Sequence, residues 1–167
     1  MAIEYVLGDA TRPRGNGPRV IAHCCNDGGG WGSGFVVALS KRWSEPERAY
    51  RAWFRNKSMV REVSLFNEVS QVSHKVAFEL GNVIFVEVEP QLWVANIIGQ
   101  HGTCKTEKVP IRYLALGTGL CTVAHFCKEK NATAHMPRLG AGLAKGHWGT
   151  IEEMILSTEM DATVYDL

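Results

Sequence analysis

The residues best suited to chemistry lie in two glycine-rich stretches: Asn26-Asp27-Gly28-Gly29-Gly30-Trp31-Gly32-Ser33-Gly34 and Pro137-Arg138-Leu139-Gly140-Ala141-Gly142-Leu143-Ala144-Lys145-Gly146. Glycine lets backbone N–H groups approach an anion closely and adopts positive φ without steric cost. A helix starting just after such a loop adds unpaired N–H donors and the positive end of a dipole. Two such loops suit a ligand with a polyphosphate middle and a recognisable group at each end. A third constellation, His23-Cys24-Cys25, contains nucleophile and metal-ligand types. Along a strand His23 and Cys25 share one face and Cys24 faces the other. No second Cys/His cluster has zinc-like spacing, so a buried, hydrogen-bonded strand trio is expected, with no metal and no cofactor. Asp9, just after an apolar run, is a turn residue or a ligand-facing carboxylate.

These groups need rigid supports, and the pattern supplies them. Ile3 to Leu7 reads as a strand, and Arg19 to Cys25 is a near-continuous apolar run typical of a strand buried on both faces. Phe35, Val36, Leu39 and Trp43 recur at helical spacing. Ser44-Glu45-Pro46-Glu47 has the form of a capping box with proline in the first turn. Val76 to Leu80, Asn82 to Val88, Leu92 to Ile98, Ala132 to Met136 and Ala162 to Leu167 read as strands. Pro110 is expected to open a helix through Leu114, Leu120, Ala124 and Cys127, and Trp148, Ile151 and Ile155 to mark another. The stretch over 57–75 mixes polar and apolar residues and reads as an insertion. The resulting order, β, β, α, β, β, α, β, α, β, predicts one α/β domain over 1–167, with helices on both faces of a mixed sheet. Both glycine loops then leave the carboxyl ends of strands, where open α/β sheets bind ligands.

Composition sets the bounds. The chain has 167 residues, 46% hydrophobic and 21% charged, with a formal charge of +1. That balance gives no broad basic face, so nucleic acid is not an expected partner in its own right. No apolar run approaches membrane-spanning length, and Met1-Ala2-Ile3-Glu4 lacks a basic n-region, so neither a membrane nor secretion is expected. Five cysteines without a CxxC pair fit a reducing cytoplasmic or nuclear compartment. Gly140, Gly142 and Gly146 have GxGxxxG spacing, and only residues 147–167 follow, which leaves no room for a Rossmann fold. Gly146 after Lys145 likewise breaks a Walker loop.

Several segments in order resemble the macro domain family: Gly8-Asp9-Ala10-Thr11; Val20-Ile21-Ala22-His23-Cys24-Cys25-Asn26-Asp27; Gly30-Trp31-Gly32-Ser33-Gly34; His135-Met136-Pro137-Arg138-Leu139-Gly140-Ala141-Gly142-Leu143; and Val164-Tyr165-Asp166-Leu167. The resemblance covers nearly the whole chain except 57–75. It runs toward the branch with the terminal ADP-ribose glycohydrolase, the ALC-type remodeller and the ADP-ribose 1″-phosphatase. It implies a three-layer α/β/α fold with a central mixed sheet of about six strands. It also implies a monomer that takes ADP-ribose or a mono-ADP-ribosylated protein, with nucleic acid only as an ADP-ribosylated substrate. By resemblance, Asp9 and Ala10 would meet adenine, with Tyr165 packing on it. Asn26 and the Gly28 to Gly34 loop (Gly30, Trp31, Gly32, Ser33, Gly34) would hold the distal ribose and part of the diphosphate. Pro137, Arg138, Gly140, Ala141, Gly142 and Leu143 would line its other side. The glycohydrolase branch carries a catalytic lysine and aspartate where this chain has Gln100 and Ala144. A positioning mechanism is therefore expected, with Gln100 and Asn26 orienting water and Asp27 as a general base. The expected reaction is hydrolysis of mono-ADP-ribose esters of glutamate or aspartate. A non-catalytic ADP-ribose reader and a 1″-phosphate phosphatase are the alternatives.

Overall fold

Alternate residues of the central strands feed two separate apolar layers, and this sets the architecture of the computed structural model, which describes residues 2–64 and 74–167. On β2 (Arg19–Asn26), Val20 and Ala22 pack into one layer while Ile21 and Cys25 pack into the other. The first layer is completed by α3 (Tyr113–Lys130) and α4 (Trp148–Ser157), through Leu116, Leu120, Ile151 and Ile155. The second is completed by α1 (Phe35–Arg42) and α2 (Glu45–Asn56), through Leu39, Tyr50 and Trp53. A strand covered on both faces has no polar side to offer, hence the unbroken apolar run.

The remaining strands are β1 (Ile3–Leu7), β3 (Ser58–Val60), β4 (Glu62–Val63), β5 (Lys75–Ala77), β6 (Val83–Glu89), β7 (Leu92–Gln100), β8 (Thr133–Met136) and β9 (Ala162–Asp166). The main sheet has seven strands in the order β1-β9-β8-β2-β7-β6-β4, one more than the approximate sequence count. β1, β9, β8, β2 and β7 are mutually parallel, so their carboxyl ends share one edge. β6 runs antiparallel to β7, and β4 parallel to β6. β3 and β5 form a separate antiparallel pair, so the strand expected from Val76 to Leu80 lies outside the main sheet. The expected insertion over 57–75 is described only at its ends, since 65–73 lie outside the described residues.

Two boundaries and one helix cap differ from the sequence expectations. β7 continues through Gly99 and Gln100, because Gln100 bridges Ile111 and Arg112 N donates to Gly99 O at 2.9 Å. The same extended segment delays α3 to Tyr113, three residues past Pro110. The capping box at Ser44 is not made: Ser44 is already helical (φ −80°, ψ −19°). Glu47 instead accepts from Ser40 Oγ at 3.0 Å and Arg51 Nε at 2.9 Å. No helix among the described residues is long and apolar enough to cross a membrane.

Candidate functional site

The parallel strands deliver their following loops to one edge, and between those loops lies a cavity of about 590 Å³, within the usual range for a small-molecule site. Its lining includes Asn26, Gly30, Trp31, Gly32, Ser33 and Gly34 after β2, Gln100 at the end of β7, and Pro137, Arg138, Gly140, Gly142, Leu143 and Ala144 after β8. Both glycine loops therefore meet, although 111 positions separate Asn26 from Pro137.

The first loop is held by side chains. Asn26 Oδ1 accepts from Gly28 N at 2.9 Å and Gly30 N at 3.1 Å, while its Nδ2 donates to Gly30 O at 2.8 Å. Tyr50, fully buried on α2, donates to Asn26 O at 2.6 Å and accepts from Gly29 N at 3.1 Å. These bonds use the N–H groups nearest the strand. The N–H groups of Gly32, Ser33, Gly34 and Phe35 have no acceptor among the described residues. They lead into α1, whose N-cap Gly34 (φ +84°) makes no side-chain cap.

The second loop is held by backbone and packing. Gly146 N donates to Gly140 O at 2.7 Å, Lys145 N to Gly142 O at 3.0 Å, and Ile111 N to Ala144 O at 3.0 Å. Gly140 has φ +77°, and a Cβ there would meet Ile111, Leu116 and Ile151 at 2.9–3.2 Å. The N–H groups of Gly140, Gly142, Leu143 and Ala144 have no acceptor among the described residues. The cavity thus has unpaired donors on both walls, which suits an extended anion.

Burial settles the histidine and cysteine trio. His23 Nε2 lies 2.5 Å from Asn96 Oδ1, and Asn96 Nδ2 donates to Pro46 O at 3.1 Å, so the proton sits on Nε2. Burial lowers the His23 pKa to about 4 and raises that of Cys24 to about 12. His23 and Cys25 are buried and Cys24 is half-buried, so the trio borders the cavity with a neutral imidazole and protonated thiols. No group of three His, Cys, Asp or Glu among the described residues could hold a metal.

Asp9, Ala10 and Tyr165 lie outside the cavity lining, along the same edge at β1 and β9. Asp9 Oδ1 accepts from Thr11 N and Thr11 Oγ1, both at 2.8 Å. Tyr165 OH accepts from Arg14 N and lies 2.9 Å from His135 Nδ1, and His135 Nε2 lies 2.8 Å from Thr133 Oγ1. Arg138 makes a two-pronged pair with Asp166 at 2.8 and 3.0 Å. Ala141 does not line the cavity either. Asp27, expected as a base, is also absent from the lining. Its oxygens are taken by His101 Nδ1 at 2.7 Å and Gly102 N at 2.9 Å. Sequence reasoning missed Thr103, Cys104 and Lys105, which follow β7 and join the lining. Nothing in their spacing marks them; the Gln100–Ile111 bridge and the bonds of His101 and Gly102 to Asp27 hold that polar loop at the site.

A solved structure of a macrodomain protein from Streptomyces coelicolor is 45% identical, with each chain covered to 99% and a TM-score of 0.78. The chain belongs to the macrodomain family. This macrodomain is also 30% identical over 163 residues to zebrafish chromodomain-helicase-DNA-binding protein 1-like, matching 92% of the chain. It spans only 14% of that relative's length. A third relative, the ADP-ribose 1″-phosphate phosphatase of Lodderomyces elongisporus, is 27% identical over 99% of this chain and 98% of its own. No family model matches the chain. Four of the macrodomain's five parallel strands, β1, β2, β8 and β9, carry at their ends the segments on which the family resemblance rests.

Proposed function

We propose that this macrodomain binds ADP-ribose and hydrolyses the ester that joins it to a glutamate or aspartate side chain, releasing free ADP-ribose. The observation that carries the reading is the convergence of both glycine loops, each with unpaired N–H donors, and Gln100 on one cavity. The diphosphate would lie between the N–H groups of 32–35 and those of Gly140 and 142–144. Adenine would extend toward the β1–β9 edge, to Asp9, Ala10 and Tyr165, and the distal ribose toward Asn26 and Gln100.

An acyl-linked ribose carries a good leaving group, so the site has to orient water and support developing charge. The water oxygen bonds to the anomeric carbon as the bond to the carboxylate oxygen breaks. The electron pair leaves with the carboxylate, and the surplus proton passes to bulk water. Gln100 supplies an amide for the water, and the loop N–H groups hold the diphosphate fixed. Asn26, already bonded three ways, is better suited to shaping the loop than to directing water. Removal of the phosphate from ADP-ribose 1″-phosphate is the second reading, favoured by the full-length similarity to the phosphatase.

The test is incubation with a glutamate-linked mono-ADP-ribosylated protein and, separately, with ADP-ribose 1″-phosphate. Release of ADP-ribose from the first alone is the expected result. Turnover of the second alone replaces it with the phosphatase reading. Micromolar binding of ADP-ribose without turnover of either makes the domain a reader.

A further inference from the structure

Gly102 stands where two hydrogen bonds meet. Its N–H donates to Asp27 Oδ1 at 2.9 Å, and its carbonyl accepts from Gln100 Nε2 at 3.0 Å. A carbonyl can only accept, so the nitrogen end of the Gln100 amide must face Gly102. That leaves Oε1, which has no partner among the described residues, as the free end of a side chain that lines the cavity. The other amide oxygen in the lining, Asn26 Oδ1, already accepts from two loop N–H groups. No Asp or Glu among the described residues lines the cavity.

Gly102 is itself fixed in place. Its φ is +63°, and a Cβ there would sit 2.3 Å from Thr106 Oγ1, so a larger residue would have to displace the Thr106 side chain. The turn beyond it is closed by Thr106 N and Glu107 N on Thr103 O at 3.0 and 2.9 Å. His101 ties that turn back to the first glycine loop, with Nδ1 on Asp27 Oδ2 at 2.7 Å and Nε2 facing Glu107 Oε1 at 3.4 Å.

We infer that Asp27 is a positioning residue: by holding the Gly102 peptide it fixes the Gln100 amide with Oε1 toward the cavity, where that oxygen directs the hydrolytic water. The inference rests on the hydrolase reading and replaces the general-base role for Asp27. A base must reach the proton it takes, whereas Asp27 is outside the lining and both its oxygens are engaged.

Steady-state hydrolysis of the glutamate-linked substrate, ADP-ribose calorimetry and side-chain amide NMR of the folded domain test it together. D27A should lower kcat by about 100-fold, the scale of a misplaced catalytic group. Its ADP-ribose affinity should stay within about 3-fold of the parent, since the lost group acts only in turnover. D27N should recover most of the rate, because its amide oxygen can accept from Gly102 N and its nitrogen can face His101. The D27A/Q100A double variant should be no slower than Q100A, because the two act as one unit. D27N as slow as D27A overturns the inference in favour of a carboxylate acting directly, and so do penalties that multiply in the double variant. D27N is isosteric, so its rate decides the matter even where D27A does not fold. If the parent turns over neither substrate, the hydrolase reading fails and NMR judges the clamp. The Gln100 amide resonances should then move in D27A and not in D27N; no movement in D27A overturns it.

Discussion

The two glycine loops reach the same cavity by different means. The first is built on polar side chains: Asn26 and Tyr50 satisfy its N–H groups one by one, and Asp27 ties it to Gly102 N. The second makes no comparable use of side-chain oxygens. It closes on itself through Gly146 N to Gly140 O and wedges Gly140 against Ile111, Leu116 and Ile151. A loop held by hydrogen bonds to side chains can be loosened one bond at a time. A loop held by close backbone packing fails when an atom is added at a packed position, because a packed interior has no slack.

The sharpest break should come from Gly146→Ala. The added Cβ would lie 2.5 Å from Gly140 O, a backbone atom that cannot swing aside. Destabilisation on the order of 3 kcal/mol is expected, read as a lower urea midpoint with unchanged slope. A midpoint within error of the parent would show that the second loop has slack.

Acid should act on the strands beneath both loops. Burial holds His23 on β2 and His135 on β8 near pKa 4, below the ordinary 6.5. The unfolded chain therefore takes up protons that the folded chain refuses. Their stability contribution is whole above about pH 6.5, falls as pH drops, and levels below about pH 4. Urea titrations across that window should show the slope, and His135→Gln should reduce it. An unaltered slope would remove His135 from the account.

A smaller loss should follow Tyr50→Phe, which deletes one hydroxyl and strands Gly29 N and Asn26 O. About 1–3 kcal/mol is expected for groups left unpaired in a buried place, with weaker ADP-ribose binding and no change at the second loop. Amide exchange measured residue by residue would show it. Protection lost equally in both loops would mean that they are one unit.

The smallest effect is expected at Gly142→Ala, where an added Cβ meets nothing within 4 Å. Stability should stay within about 0.5 kcal/mol of the parent. A large loss there would mean that the second loop is packed more widely than at Gly140 and Gly146.

How far the chain could be read in advance varied with the kind of interaction. Strand β2 was legible because burial on both faces demands an unbroken apolar run. Helix α2 was legible from Pro46 and its neighbours, yet the reason given for its start was not, since Glu47 bonds Ser40 and Arg51 instead of closing a box. Tyr50 lies in the core, but its hydroxyl braces a loop that begins 24 positions earlier. Asp27 was expected as a base because the lysine and aspartate of the glycohydrolase branch are replaced here by Gln100 and Ala144. Its partners, His101 and Gly102, lie more than 70 positions away, beyond any local pattern.

The sequence by itself determined where the backbone can bend and what it buries. The glycine positions fixed both loops, the apolar runs fixed the parallel strands, and together they fixed the edge at which those loops emerge. Tertiary structure decided which polar groups remain to be used. Long-range pairing consumed Asp27, brought Thr103, Cys104 and Lys105 into the lining, and left the Gln100 oxygen and two rows of N–H groups unpaired at its walls. Burial and periodicity are local properties of a chain, whereas a hydrogen-bond partner depends on what the finished fold places within 3 Å.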